Sequence, residues 1–211
     1  MRLTKLGHSC VRLEKDGATM VIDPGIWSGT DPLAGADVVL ITHEHADHVD
    51  EQAVRSALAR SDGPTLWTSP AVVEMFADHA SRVHAVAHGE TFTVSGFDVT
   101  VYGREHAVIH PDIPVVANVG FAVDGKLFHP GDALTVPEEE VEVLLLPVSA
   151  PWLKAAEIID YARHVKPRLC YPIHDEVLSA NGVGLIDRLA SALLSATSSY
   201  VRIPPGQSVA V

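Results

Sequence analysis

Residues 42 to 48 read T-H-E-H-A-D-H, placing His43, His45, Asp47 and His48 within six positions. Imidazole nitrogens and carboxylate oxygens are the ligands that a borderline divalent ion such as Zn²⁺ accepts. The preceding run, Val38 to Thr42, is β-branched and apolar, the composition of a strand buried on both faces. The four side chains therefore start where a buried strand stops, a place where α/β proteins build sites. The chemistry this pattern points to is metal binding.

One strand-end motif supplies at most four ligands, and three later segments repeat its geometry. His106 follows the apolar Val99 to Tyr102, Asp132 closes the turn after Phe128-His129-Pro130-Gly131, and His174 ends the run from Leu169. His110 rivals His106, because an even separation on a strand puts both on one face. His106 is the preferred candidate, with His110 left as a pocket residue or substitute. His129 reads either as a hairpin or core histidine or as a support for the site. His8 reads as a supporting or substrate-facing residue, and Asp23 as a carboxylate that orients a ligand imidazole. Trp152, in Ser149-Ala150-Pro151-Trp152, either walls the pocket or caps the following helix. Cys170, four residues before His174, is expected to be a buried thiol on the same strand face. His79, His84, His88 and His164 are expected to face solvent.

The elements that must position these residues are short. Arg2 to Leu6, Cys10 to Glu14 and Ala18 to Ile22 read as strands, with Lys15-Asp16-Gly17 as a hairpin turn. Helices are expected from Asp50 and over Pro70 to His79. Strands return at Thr91 to Val94, Phe97 to Tyr102, Val115 to Val123 and Lys126 to His129, with Asp124-Gly125 as a hairpin signal. Val141 to Leu146 and Leu169 to Ile173 read as buried strands, separated by a helix over Lys154 to Val165. A last helix near Gly184 to Ser195 precedes strand-like Tyr200 to Ile203 and Gln207 to Val211. Two strand-rich halves, each followed by helices, predict two packed sheets with helices outside. No linker divides residues 1–211, so one domain is expected.

Charge and composition narrow the partners. Fifteen basic against 27 acidic residues give a formal charge of −12, which repels nucleic-acid backbone and anionic membrane. A small-molecule substrate is expected; an anionic one stays compatible because bound metal would be a local positive centre. No run approaches the 18 or so apolar residues of a membrane span. No signal-peptide-like stretch opens the chain, and two cysteines are too few for a disulfide framework, which points to the cytoplasm.

With His43-x-His45-x-Asp47-His48 followed in order by His106, Gly131-Asp132 and His174, the chain resembles the metallo-β-lactamase superfamily of metal-dependent hydrolases. The resemblance implies a four-layer αβ/βα sandwich of two mixed β-sheets with helices on the outer faces. It implies two divalent ions, zinc foremost, with manganese or iron accepted by the same N/O set. His43, His45 and His106 would hold one; Asp47, His48 and His174 the other; Asp132 would bridge them. Gly7-His8-Ser9-Cys10 and Ile22-Asp23-Pro24-Gly25 look like a compact bacterial branch related to ascorbate-phosphate lactonase and N-acylphosphatidylethanolamine phospholipase D. Gly131-Asp132-Ala133 departs from the commoner Gly-Asp-Thr by losing a hydroxyl beside the bridging carboxylate. The expected activity is hydrolysis of an ester, lactone or phosphoester by a metal-bridging hydroxide, with Asp47 and Asp132 catalytic. The alternatives are a metal-binding or redox protein, or a non-catalytic scaffold, on the same fold.

Overall fold

A computed structural model describes all 211 residues. The chain opens with an antiparallel meander of β1 (Arg2–Gly7), β2 (Cys10–Lys15) and β3 (Ala18–Ile22). β4 (Val38–Ile41) pairs parallel with β3. It leads through α1 (Glu51–Leu58) to β5 (Thr65–Thr68), and then through α2 (Pro70–Met75) to β6 (Val83–Ala85). The second half repeats the plan. An antiparallel meander of β7 (Thr91–Val94), β8 (Phe97–Tyr102), β9 (Gly120–Val123) and β10 (Leu127–His129) comes first. β11 (Val143–Pro147), α3 (Ala155–Val165), β12 (Leu169–Ile173), α4 (Ala180–Leu194) and β13 (Ser199–Tyr200) follow. β14 (Ser208–Ala210) crosses back to pair with β1.

The two sheets run β14-β1-β2-β3-β4-β5-β6 and β13-β12-β11-β10-β9-β8-β7. Read from β14 and from β7, each has three antiparallel pairings and then three parallel ones. Of the six parallel connections, four run through the helices, while β3 to β4 and β10 to β11 are joined by loops. In this frame the turn after β3 corresponds to the turn after β10, and the end of β1 to the end of β8.

Side-chain alternation builds the layers. In β4, Val38 and Leu40 face the other sheet while Val39 and Ile41 face the helices; in β11, Val143 and Leu145 face inward and Leu144 and Leu146 outward. One apolar cluster lies between the sheets, one under α1 and α2, and one under α3 and α4. The observed fold is thus helix, sheet, sheet, helix, as expected. Covering both faces is why these strands read as unbroken apolar runs. α1 starts where the Asp50 carboxylate accepts from the Ala53 N–H. No helix is long and apolar enough to cross a membrane.

Several expectations are revised. The strand expected over Val115 to Val123 is confined to β9; residues 103–118 form a long loop with a single bridge between Glu105 and Ala117. Pro111 and Pro114 lack the N–H that a ladder needs. The same-face relation of His106 and His110 therefore does not hold. The helix expected over Pro70 to His79 ends at Met75, with a 3₁₀ turn at Ala77–His79. β5 and β6 went unread because T-L-W-T and V-H-A carry little apolar signal.

Candidate metal centre

The site lies at strand ends along one edge of the sandwich, and buried hydrogen bonds hold each turn. Asp23, after β3, is fully buried; its carboxylate accepts from the Thr42 N–H and hydroxyl, both at 2.8 Å, and lies 2.6 Å from His48 Nδ1. This single side chain ties the end of β3 to the whole His43–His48 loop. Gly25 follows because the loop passes so near that a Cβ there would meet the Asp47 carbonyl oxygen at 1.9 Å. After β10, Gly131 sits at φ +64 and a Cβ would crowd the Asn118 amide at 2.3 Å. Asn118 accepts from the Asp132 N–H at 3.0 Å and donates to the Pro130 carbonyl at 2.9 Å, bracing that turn.

The ring nitrogens sort themselves by their partners. His43 Nδ1 faces Thr42 Oγ1 at 3.0 Å, His106 Nδ1 faces the Ala107 carbonyl at 2.6 Å, and His174 Nδ1 faces the Ser149 carbonyl at 2.5 Å. With His48 Nδ1 on Asp23, four Nδ1 atoms are used as donors, which leaves each Nε2 with a lone pair for the interior. Asp132 is the hub. Its oxygens lie 3.0 Å from His48 Nε2, 3.0 Å from His174 Nε2 and 3.3 Å from His106 Nε2.

Three sets of ligand atoms each lie within 4.8 Å of one another: His43, His45 and His106; His8, Asp47, His48 and His174; and His43, His48 and Asp132. All seven candidate ligands from the sequence lie in these groups, with His8 added beside Asp47, His48 and His174 and with Asp132 grouped with His43 and His48. The donor set fits divalent cations on an independent count. Of eight buried side-chain polar atoms without a hydrogen-bond partner, four are His48 Nε2, His106 Nε2, His174 Nε2 and Asp132 Oδ1. The three nitrogens lie 3.0–3.3 Å from Asp132 oxygens without hydrogen-bond alignment, so they converge on the carboxylate as ligands grouped around a cation do.

Charges reinforce this picture. Burial would lower His48 and His174, but the neighbouring carboxylates outweigh it, holding His48 well above its usual range and raising His174 to about 9. Burial would raise Asp132, yet the surrounding imidazoles hold it well below the carboxylate range, and Asp47 is lowered in the same way. Burial drives His43 well below its usual value and lowers His45 and His8. Without metal the centre keeps its charge balance by holding protons that an ion would displace.

Other expectations resolve plainly. His110 has a side chain 60% exposed and accepts the Asp112 N–H, so it lies outside the groups and His106 lies inside. His129 is fully buried, with Nε2 2.9 Å from the Ser9 carbonyl and Nδ1 accepting from Gly131; it braces turns and is in no ligand group. Cys170 packs under the helices in the outer cluster, away from His174, because the strand's alternation ends where His174 turns to φ +58. Its thiol is pushed up to about 12 by burial. His164 is exposed as expected, but His79, His84 and His88 are half-buried, His84 stacking on Trp67 at 4.3 Å.

Trp152 belongs to the site, donating its Nε1–H to Asp132 Oδ2 at 3.1 Å. Two supports went unread in the sequence. Asn118 gives no signal, since an isolated Asn in a loop is ordinary. Lys5 is 2% exposed, and its ammonium donates to Asp175 Oδ1 at 2.6 Å and the Pro172 carbonyl at 2.9 Å, pinning the His174 turn to β1. Only its place in an otherwise apolar-facing strand position could have flagged it.

Residues 2–174 match the family described as the Beta-lactamase superfamily domain. Protein Rv0786c of Mycobacterium tuberculosis is 36% identical over 191 residues, covering 88% of this chain and 89% of that protein. A UPF0173 metal-dependent hydrolase of Anoxybacillus flavithermus is 25% identical over 228 residues, covering 92% of this chain and 99% of the relative. The metallo-beta-lactamase fold protein YhfI from Bacillus subtilis superposes with a TM-score of 0.74 at 15% identity, over 99% of this chain and 98% of that one. Matched through most of its length, the chain belongs to the family of the Beta-lactamase superfamily domain and carries its ligand groups on the metallo-beta-lactamase fold.

Proposed function

We propose that the protein is a metal-dependent hydrolase that works with two divalent cations on a small-molecule ester or lactone. The observation that carries this is the convergence of buried, unpartnered ligand atoms on Asp132 between two ligand groups. The similarity to a UPF0173 metal-dependent hydrolase supports the reaction class. Bound there, two divalent ions supply Lewis acidity and hydroxide at neutral pH; the N/O donor set suits zinc, then manganese or iron.

The chain's own groups do the rest. Asp47 is the ligand-type carboxylate with solvent access, its side chain 21% exposed, so it faces the substrate side and can orient the attacking water. Asp132, buried and fixed by Trp152, keeps its charge centred between the groups.

The mouth favours a neutral ester or lactone with an apolar substituent over a phosphoester. Trp27 is 44% exposed and sets its ring against His8 at 4.9 Å; Ile26, anchored to the Ala46 carbonyl, is also exposed, as is Val177 just past His174. Asp47 and Asp132 have only histidines as ion-pair partners.

The test is hydrolysis of a panel of p-nitrophenyl esters, lactones and phosphodiesters before chelation, after it, and after adding back Zn²⁺ or Mn²⁺. Expected is ester or lactone turnover that vanishes with the metal and returns with it. His45→Ala and Asp132→Ala are expected to lose bound metal and at least about 100-fold in rate together. Full turnover without metal, or none on any substrate by the loaded protein, overturns the reading.

A further inference from the structure

His8 stands among the atoms of one ligand group, although it comes from the β1–β2 turn far from the His43–His48 motif. It is 1% exposed and holds φ +29, a conformation that L residues rarely adopt. Its ring bridges two segments. Nδ1 accepts the Glu176 N–H at 3.3 Å, and Nε2 lies 3.2 Å from Asp47 Oδ2. Its backbone carbonyl accepts the His174 N–H at 3.1 Å, and the His8 and His174 rings lie 4.1 Å apart.

The tautomer follows from these partners. An Nδ1 that accepts a backbone N–H carries no proton, so the proton of the neutral ring is on Nε2 and is donated to Asp47. A ring ligating metal through Nε2 would need the other tautomer, setting Nδ1–H against the Glu176 N–H, donor against donor in a buried place. The geometry points to His8 as a positioning residue, not a ligand. By its ring it aims the Asp47 carboxylate, and by its carbonyl and Nδ1 it holds the His174–Glu176 turn. Occupancy of the Asp47–His48–His174 position therefore depends on it, while the His43–His45–His106 position does not. The pseudo-repeat of the sheets sharpens this. β8 is the counterpart of β1, and the loop that follows it supplies His106, whose Nε2 has no hydrogen-bond partner. The segments after these two strands thus serve differently, one supplying a ligand-type residue and the other a clamp.

This inference rests on the two-ion reading above, and the experiment separates the two. Zn²⁺ is titrated calorimetrically into the chelator-stripped full chain, with bound metal counted by elemental analysis, for wild type, His8→Gln and His8→Asn. Gln places an amide N–H near the Nε2 position and keeps the donor to Asp47; Asn keeps an acceptor near Nδ1 but cannot reach Asp47. Wild type is expected to take two ions. His8→Asn is expected to keep one ion within about 3-fold and to weaken the other by about 10–100-fold; His8→Gln is expected to restore most of that loss. The unchanged ion shows that the variants are folded. Two ions in wild type with His8→Asn unaffected, with both positions weakened alike, or with Gln no better than Asn, overturns the role of His8. A single ion in wild type overturns the two-ion reading instead, and the inference with it.

Discussion

The centre depends on which atom of each side chain is left free. Four histidines spend Nδ1 on Thr42, Asp23, Ala107 and Ser149, which turns their Nε2 atoms to the interior, where those of His48, His106 and His174 have no hydrogen-bond partner and that of His43 meets His45 Nδ1 at 3.1 Å. The residue that tunes the hub is Trp152, whose indole N–H fixes the Asp132 carboxylate. Trp152→Phe keeps the ring's bulk and removes that donor. It is expected to weaken metal binding about 10-fold while leaving the melting temperature of the metal-free protein within a few degrees. Competition against a chromophoric chelator reads the affinity, and an unchanged affinity would show that the contact with Asp132 is idle. At this scale the sequence was most legible for ligand types, since His43, His45, Asp47 and His48 announce themselves by spacing alone. Asn118 and Lys5 did not, because their work is done across the fold and their neighbours in the chain say nothing about it.

The elements matter through the turns that end them. β3 and β4 run parallel, so the turns leaving them lie side by side, and Asp23 can reach Thr42 and His48. The approach is so close that Gly25 has backbone where a side chain would be. Gly25→Ala is expected to displace the Asp47–His48 peptide. The cost is about 2–3 kcal/mol of stability, with bound metal lost in the same variant. Urea unfolding of the metal-free protein measures the first and elemental analysis the second; a variant as stable as wild type would mean that the loop relaxes freely. The strongly apolar strands β4, β11 and β12 were legible because both of their faces are covered. β5 and β6 were not, since pairing of β5 with β4 and of β6 with β5, and not composition, makes them strands.

For the whole molecule, the buried histidines make stability a function of pH. His174 at about 9 and the raised His48 hold protons that the unfolded chain releases near 6.5, so they stabilise the metal-free fold below 6.5. That contribution is lost as pH rises through about 9. His8, His43, His45 and His129 are lowered and stay neutral in the fold, so their contribution is lost as pH falls below 6.5. The metal-free melting temperature is expected to peak near pH 6.5 and fall on both sides. Zn²⁺ is expected to remove the alkaline limb, because it takes the place of those protons. Thermal unfolding from pH 5 to 10, with and without metal, checks this; a metal-free curve that keeps rising from 6.5 to 9 would contradict it.

The sequence by itself determined the ligand chemistry, the buried strands that precede it and the layered α/β class, because all three are written in local spacing and periodicity. Only the tertiary structure decided between His106 and His110, turned Trp152 toward Asp132 and set His8 between Asp47 and Glu176. Those choices depend on hydrogen bonds between segments up to 168 residues apart in the chain. Such partners meet only after two sheets have closed over a common core, so no pattern within either segment encodes them.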